Sequence, residues 1–246
     1  MTIKDTISSE INQVLANKFS VSNPDSTIKL YFDIINQFPN ITLNQERFLT
    51  IEYLVSLIIK KDTNNYNKIF EKISEKDVSK IFYYAVAGKF NEIANTFIYQ
   101  NDINTAKIFS EKSINSHLLF DSLSPAYGNS LDTFAEILFK KGDTNKAVLI
   151  QSKAMPLMNY SNVLKNQKYV EYLMFDKQFE KLKEVAETFI AENLSNKIID
   201  SCFVLACLNL DKSSIENDFK KLKESAKIEF EKELKGKLVN LKAPDF

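Results

Sequence analysis

The stretch LDTFAEILFKKGDTNKAVLIQSKA, residues 131–154, decides the fold of this chain. Its apolar residues recur three or four positions apart on both sides of a turn-forming KGD tripeptide at residues 141–143, a spacing typical of amphipathic helices. Ala135 and Ala147 lie on opposite sides of that turn. Because small residues let two helix backbones approach closely, the stretch predicts two antiparallel helices that cross near these alanines.

A second copy of this pattern lies earlier in the chain. Ala94 and Ala106 are twelve residues apart, as Ala135 and Ala147 are, and the two copies are offset by 41 residues. An internal repeat of this length indicates successive helix pairs that pack on their neighbours. Corresponding positions are occupied by Phe90, Ile93, Ala94, Phe97, Ala106 and Ser113 in the first copy and by Leu131, Phe134, Ala135, Leu138, Ala147 and Ala154 in the second.

These large and small positions resemble those of the tetratricopeptide repeat over residues 88–156. The chain departs from that family in having no tryptophan, Ser110 in place of the usual aromatic residue, and a period longer than the roughly 34 residues of the family. The resemblance implies helix pairs whose first helices line a concave surface. In such proteins that surface binds extended peptides.

Helical spacing continues on both sides of this repeat. Residues 1–87 are expected to form divergent N-terminal helices, and residues 157–236 further helices that end in an amphipathic capping helix. We therefore expect an all-α fold over residues 1–236, an α-α superhelix of antiparallel helix pairs that is tetratricopeptide-like in the middle. Helix starts are predicted at Asn23-Pro24 and Ser124-Pro125, and from a capping box at Ser74 and Asp77.

Composition excludes several classes of function. Lysine plus arginine and aspartate plus glutamate number 32 each, so the chain lacks the basic excess of a nucleic-acid-binding protein. The four glycines form no phosphate-binding loop. No apolar run reaches the roughly 20 residues that a membrane-spanning helix needs. We accordingly expect no nucleic-acid partner, no bound cofactor and no membrane-spanning segment.

The residues best suited to chemistry are few. His117 is the single histidine, which excludes multi-histidine metal sites. Its neighbours Ser113, Ser116 and Asp121 lack the strained nucleophile turn of a catalytic triad, so a structural histidine at a helix end is favoured. Cys202 and Cys207 would point about 140° apart on a helix, which predicts buried thiols and no disulfide. We expect no catalytic residue and no metal site in this chain.

The tail KLVNLKAPDF, residues 237–246, carries a second resemblance. Gly236-Lys237 followed by Ala243-Pro244-Asp245-Phe246 resembles the opening of redoxin domains, the thioredoxin-like family of peroxiredoxins and thiol-disulfide oxidoreductases. The resemblance implies that such a domain follows Phe246 in a longer protein. It also implies a periplasmic or other cell-envelope location for that protein.

A candidate groove follows from the tetratricopeptide resemblance. Its expected partner is a protein or peptide segment, the attached redoxin domain included, and the alternative is a groove filled by the protein's own helices or by that attached domain. The mixed charge of Asp132, Glu136 and Lys140 argues against a strongly basic pocket that grips a carboxyl terminus. The positions that map to the groove are Asn91, Asn95, Ile98, Tyr99, Asp132, Glu136, Phe139 and Lys140.

Three functional hypotheses follow. The leading one is a non-catalytic interaction or positioning domain that precedes a redoxin domain, in a parent protein that is a thiol-disulfide oxidoreductase or peroxiredoxin. The second is a self-contained cytoplasmic tetratricopeptide-like adaptor that binds a peptide in its groove. The third is an all-helical enzyme that uses His117 or a carboxylate site.

Overall fold

The computed structural model describes residues 19–37, 43–74, 79–159 and 162–210. Within these ranges the chain forms α-helices and turns and contains no strand, so the predicted all-α fold is confirmed. The helices are α1 (Phe19–Ser22), α2 (Pro24–Gln37), α3 (Leu43–Ile59), α4 (Thr63–Ser74), α5 (Ser79–Tyr99), α6 (Ile103–Leu118), α7 (Pro125–Lys140), α8 (Thr144–Leu157), α9 (Val163–Phe175), α10 (Phe179–Ala191) and α11 (Lys197–Leu210).

Two predicted helix starts are confirmed. Helix α2 begins at Pro24, and Asn23 accepts a hydrogen bond from the Ser26 N–H at 3.3 Å. Helix α7 begins at Pro125, and the Ser124 hydroxyl accepts the Tyr127 N–H at 3.2 Å. Each cap satisfies a backbone donor that has no partner within its helix.

The division of the sequence between residues 87 and 88 predicted separate helices on either side of Gly88, and this prediction was wrong. The structure instead has one helix, α5, across this position. Gly88 is exposed with open space around it, so it neither ends the helix nor marks a close contact. Four predicted features lie wholly or partly outside the described residues. They are the first predicted helix, the capping box at Ser74 and Asp77, the capping helix and the tail.

Four helix pairs share one turn geometry: α3–α4, α5–α6, α7–α8 and α9–α10. In each turn one residue has a positive φ angle, namely Lys61 at 58°, Asn101 at 61°, Gly142 at 82° and Lys177 at 58°. The next residue donates its N–H to the carbonyl five positions back, and the pairs are Asp62 to Leu57, Asp102 to Phe97, Asp143 to Leu138 and Gln178 to Leu173. These bonds satisfy helix-end carbonyls as a Schellman motif does.

Two of the turns carry an acidic cap for the next helix. Asp62 accepts hydrogen bonds from the Asn65 side chain at 2.7 Å and from its N–H at 3.2 Å, and these bonds lower the pKa of Asp62. Asp102 accepts the Thr105 N–H at 3.1 Å, and hydrogen bonds from Thr105 lower the pKa of Asp102. Both caps therefore stabilise the fold above the ordinary aspartate pKa of about 3.9 and are lost as the pH falls through the lowered values.

The sequence repeat covers only the two middle pairs, for a reason visible in the core. In α5–α6 and α7–α8 the crossing residues are alanines, all fully buried. The pair α3–α4 has Leu54 and Tyr66 at the positions of Ala94 and Ala106, and both are buried. Because these positions hold large residues, the sequence of α3–α4 lacks the small-residue pattern of the two middle pairs, although its turn has the same geometry.

The pair α7–α8 is closely packed. A Cβ added at Gly128 would lie 2.9 Å from Leu157 Cβ, 2.9 Å from Met158 Cγ and 3.2 Å from the Ala154 carbonyl oxygen. The predicted small positions Ala135, Ala147 and Ala154 are fully buried. The absence of side-chain volume at Gly128 therefore lets the start of α7 approach the end of α8.

The described chain separates into two compact units. The first contains the described residues up to 92 together with residues 115–120, and the second contains residues 93–114 and the described residues from 121 onward. In the first unit, Tyr31 stacks on Tyr53 at 4.4 Å between ring centres, and Lys89 lies 3.5 Å from the buried carboxylate of Glu52.

The second unit has its own core. Phe97 stacks on Phe109 at 5.9 Å between ring centres, which joins α5 to α6 within this unit. A larger cluster joins α7 to α11 and includes Leu138, Leu173, Leu182, Phe189 and Phe203. Among the helices of the described ranges, none combines the length and apolar composition needed to cross a bilayer.

The turn geometry predicts opposite effects for two substitutions. Gly142→Ala should lower the free energy of unfolding by about 1 kcal/mol, because a Cβ is strained at positive φ. Lys177→Gly should raise it by up to about 1 kcal/mol, because it relieves the same strain. Urea denaturation followed by circular dichroism measures both. Changes of the same sign would show that the turns do not impose this conformation.

The close approach at Gly128 makes a second prediction. Gly128→Ala should destabilise the protein by about 1 kcal/mol or more, because the added methyl overpacks the α7–α8 contact and outweighs the gain in helix propensity. Gly88→Ala is the matched control and should stabilise by about 0.5–1 kcal/mol, since its surroundings are open. Equal and stabilising effects of the two changes in urea denaturation would contradict the packing argument.

Candidate functional site

A buried carboxylate forms the centre of the site. Asp132 on α7 is 5% exposed, and its Oδ1 accepts a hydrogen bond from Gln151 Nε2 on α8 at 2.8 Å. Its Oδ2 lies 3.8 Å from Lys165 Nζ and 3.9 Å from Lys168 Nζ, both on α9. One side chain thus links three helices of the second unit.

Glu136 completes this group of charges. It lies one turn after Asp132 on α7 and accepts a hydrogen bond from Lys168. Lys165 donates to Asn129 Oδ1, and its Nζ lies 2.9 Å from Met158 Sδ. We call Asp132, Glu136, Lys165 and Lys168 the charged cluster, and its two acids and two lysines give it no net charge.

The two lysines differ in their surroundings. Burial lowers the pKa of Lys165, although the Asp132 carboxylate opposes this effect. Burial also acts to lower the pKa of Lys168, but the charge of Asp132 and the hydrogen bond and charge of Glu136 outweigh it and raise that pKa. Lys168 therefore contributes stability below the ordinary lysine pKa of about 10.4, which is lost as the pH rises through its raised value.

Two residues of α5 lie next to the charged cluster. Asn95 Nδ2 donates to Thr133 Oγ1 on α7 at 3.3 Å. Tyr99 is 91% exposed and lies one helical turn after Asn95 on α5, so the two residues share a face of that helix, and its charge acts to raise the pKa of Lys168. The structure therefore brings together four of the predicted groove residues. We call the charged cluster together with Asn95 and Tyr99 the polar face.

The other predicted groove residues have different surroundings. Ile98 is buried, so its side chain is not offered to a partner. Asn91 is half-buried and belongs to the first unit. Phe139 packs its ring on Tyr172 and Phe175, and Lys140 is exposed at the end of α7.

Lys165 and Lys168 were missing from the predicted groove. They lie on α9, the first helix of a pair whose crossing positions hold Val170 and Leu182 in place of alanines. The sequence did carry one signal, since two lysines three residues apart share a face of a helix. Recognition of α9–α10 as a further helix pair would have placed these lysines beside Asp132.

The side chains that could carry chemistry make ring contacts and local hydrogen bonds. The buried His117 ring lies edge-on to Tyr84 at 6.5 Å and tilted against Phe120 at 5.2 Å between ring centres. Ser113 Oγ lies 2.8 Å from Ser130 Oγ, and Asp121 accepts the Leu123 N–H at 3.1 Å. Within the described ranges, no three side chains of His, Cys, Asp or Glu are grouped to hold a metal ion.

The two cysteines are buried free thiols on α11, as predicted. Burial and then the charge of Glu171 raise the pKa of the Cys202 thiol to about 11. This thiol is therefore protonated at neutral pH. A protonated, buried thiol is a poor nucleophile and fits the core of the second unit.

The charged cluster predicts a stability difference between two acids. Asp132→Asn should lower the free energy of unfolding by about 2–3 kcal/mol, because it leaves two partly buried ammonium groups without their shared carboxylate. The control Glu111→Gln removes one acid of the exposed Lys107–Glu111 pair, 3.4 Å apart, and should change stability by less than about 0.5 kcal/mol. Urea denaturation measures both, and similar small losses would contradict the central role of Asp132.

Comparison of the chain with known proteins gives no match, either to a protein-family model or to a curated protein. The feature of the second unit that bears on function is therefore the polar face, a net-neutral group of charges beside an exposed tyrosine.

Proposed function

We propose that the second unit is a non-catalytic protein-interaction or positioning domain that binds a segment of a partner protein along its polar face. The observation that carries this proposal is the juxtaposition of the almost fully exposed Tyr99 with charges held in place from two neighbouring helix pairs. An exposed tyrosine provides a large contact area at a low entropy cost. Fixed polar groups beside it supply orientation and specificity.

A role in binding explains the charged cluster better than a gain in folding stability does. A buried ion pair is often no more stabilising than apolar side chains of the same volume. Asp132 and its lysines nevertheless occupy a place between α7 and α9 where apolar residues would pack. Polar groups held rigidly at a partly exposed position are typical of recognition surfaces.

The role of the partner depends on the parent protein. The redoxin-like tail motivates the proposal that this domain positions a substrate or partner for a thioredoxin-like domain in a thiol-disulfide oxidoreductase or peroxiredoxin of the cell envelope. The coding sequence after Phe246 tests it. A following C-x-x-C or single-cysteine redoxin motif supports this role, and a stop codon at that point leaves the self-contained cytoplasmic adaptor instead.

A library of displayed random peptides tests binding. Each peptide has about twelve residues, which in an extended conformation is long enough to run along the polar face. We expect peptides to be enriched on the wild-type protein and to bind Tyr99→Ala about tenfold more weakly, because an exposed aromatic anchor is lost. Leu123→Ala, another exposed apolar residue in the second unit, is the control and should leave affinity unchanged. The absence of enriched peptides, or equal loss in both variants, would overturn the proposal.

A further inference from the structure

An exposed aromatic ring lies beside the charged cluster. Phe175, the last residue of α9, is 65% exposed. Phe139 contacts it edge-on at 5.2 Å and stacks on the buried ring of Tyr172 at 4.5 Å between ring centres. We call Phe139, Tyr172 and Phe175 the aromatic end. It offers an exposed ring on a rigid aromatic base.

The aromatic end adjoins the charged cluster along α7 and α9. Tyr172 follows Lys168 by four residues, so it lies one turn from the lysine that pairs with Glu136, and its ring packs on Phe139. Burial raises the pKa of Tyr172, and the charges of Glu136 and Asp132 raise it further. Phe139 follows Glu136 by three residues and Phe175 follows Lys168 by seven, so the two features share one face of α7 and one face of α9.

The balance of acidic and basic side chains on this surface determines which kind of partner can bind there. An acidic partner would have to compete with Glu136 for Lys168 or leave the buried Asp132 without its lysines. A basic partner would have to compete with the same lysines for both carboxylates. Breaking a buried pair leaves an uncompensated charge, which is strongly unfavourable. A partner without charge gains contact area and breaks no pair.

We propose that the occupant is an extended, uncharged peptide segment that places an aromatic or large aliphatic side chain on Phe175 and Phe139. This inference rests on the proposed function and adds the chemical class of the partner. Offset or edge-to-face contact between rings suits the exposed face of Phe175. The balanced charges of the cluster then contact the peptide backbone, whose own groups are polar and neutral.

The sequences of the peptides enriched in the binding experiment also test the chemical class of the partner. We expect enriched peptides to have a net charge near zero and to share an aromatic or large aliphatic residue. Their affinity should change less than about threefold between low and high salt, because no net charge is neutralised on binding. Phe175→Ala should weaken binding about tenfold, as loss of an aromatic anchor does.

Leu164→Ala is the matched control, because Leu164 is 68% exposed at the opposite end of the same helix. It should change affinity less than about twofold, as a peripheral contact does. Enriched peptides that require Tyr99 but are acidic, strongly salt-sensitive or indifferent to Phe175→Ala would overturn this inference and leave the proposed function standing. The absence of any peptide that requires Tyr99 would overturn both.

Discussion

Every repeated helix pair depends on one backbone constraint, a single left-handed residue between its two helices. The chain must reverse direction within three residues, and the positive φ angle lets the next N–H reach the carbonyl five positions back. Only Gly142 adopts this conformation without a side-chain penalty. At Lys61, Asn101 and Lys177 the recovered hydrogen bonds and the packing of the second helix offset the strain. The turn therefore persists where the residue type changes.

This constraint explains how much of the fold could be predicted. The α7–α8 pair was predictable because Gly142, Ala135 and Ala147 all carry a local signal for the same arrangement. The pairs α3–α4 and α9–α10 were harder to recognise, because lysine is common at the surface and gives no sign of a left-handed turn. Their crossing positions hold large residues, which are common throughout a helical core and have no characteristic spacing.

The polar face was predictable only in part for a related reason. Asp132 and Glu136 lie in the recognised repeat, so their positions on one face of α7 followed from helical spacing. Their ion pairs did not follow, because these form with Lys165 and Lys168 from the next pair. The burial of Ile98 likewise did not follow, because the tetratricopeptide resemblance had placed it on the concave surface. Contacts between pairs thus limited what the sequence could reveal.

The charged cluster lies where two neighbouring helix pairs meet, and this position has a mechanical consequence. Asp132 and Glu136 belong to α7–α8, while Lys165 and Lys168 belong to α9–α10. The same four side chains therefore form both the proposed recognition surface and an electrostatic link between the pairs. A segment bound across them as proposed would contact both pairs at once and oppose their separation. By linkage, any change that separates the two pairs would weaken binding by the same free energy with which binding opposes that separation.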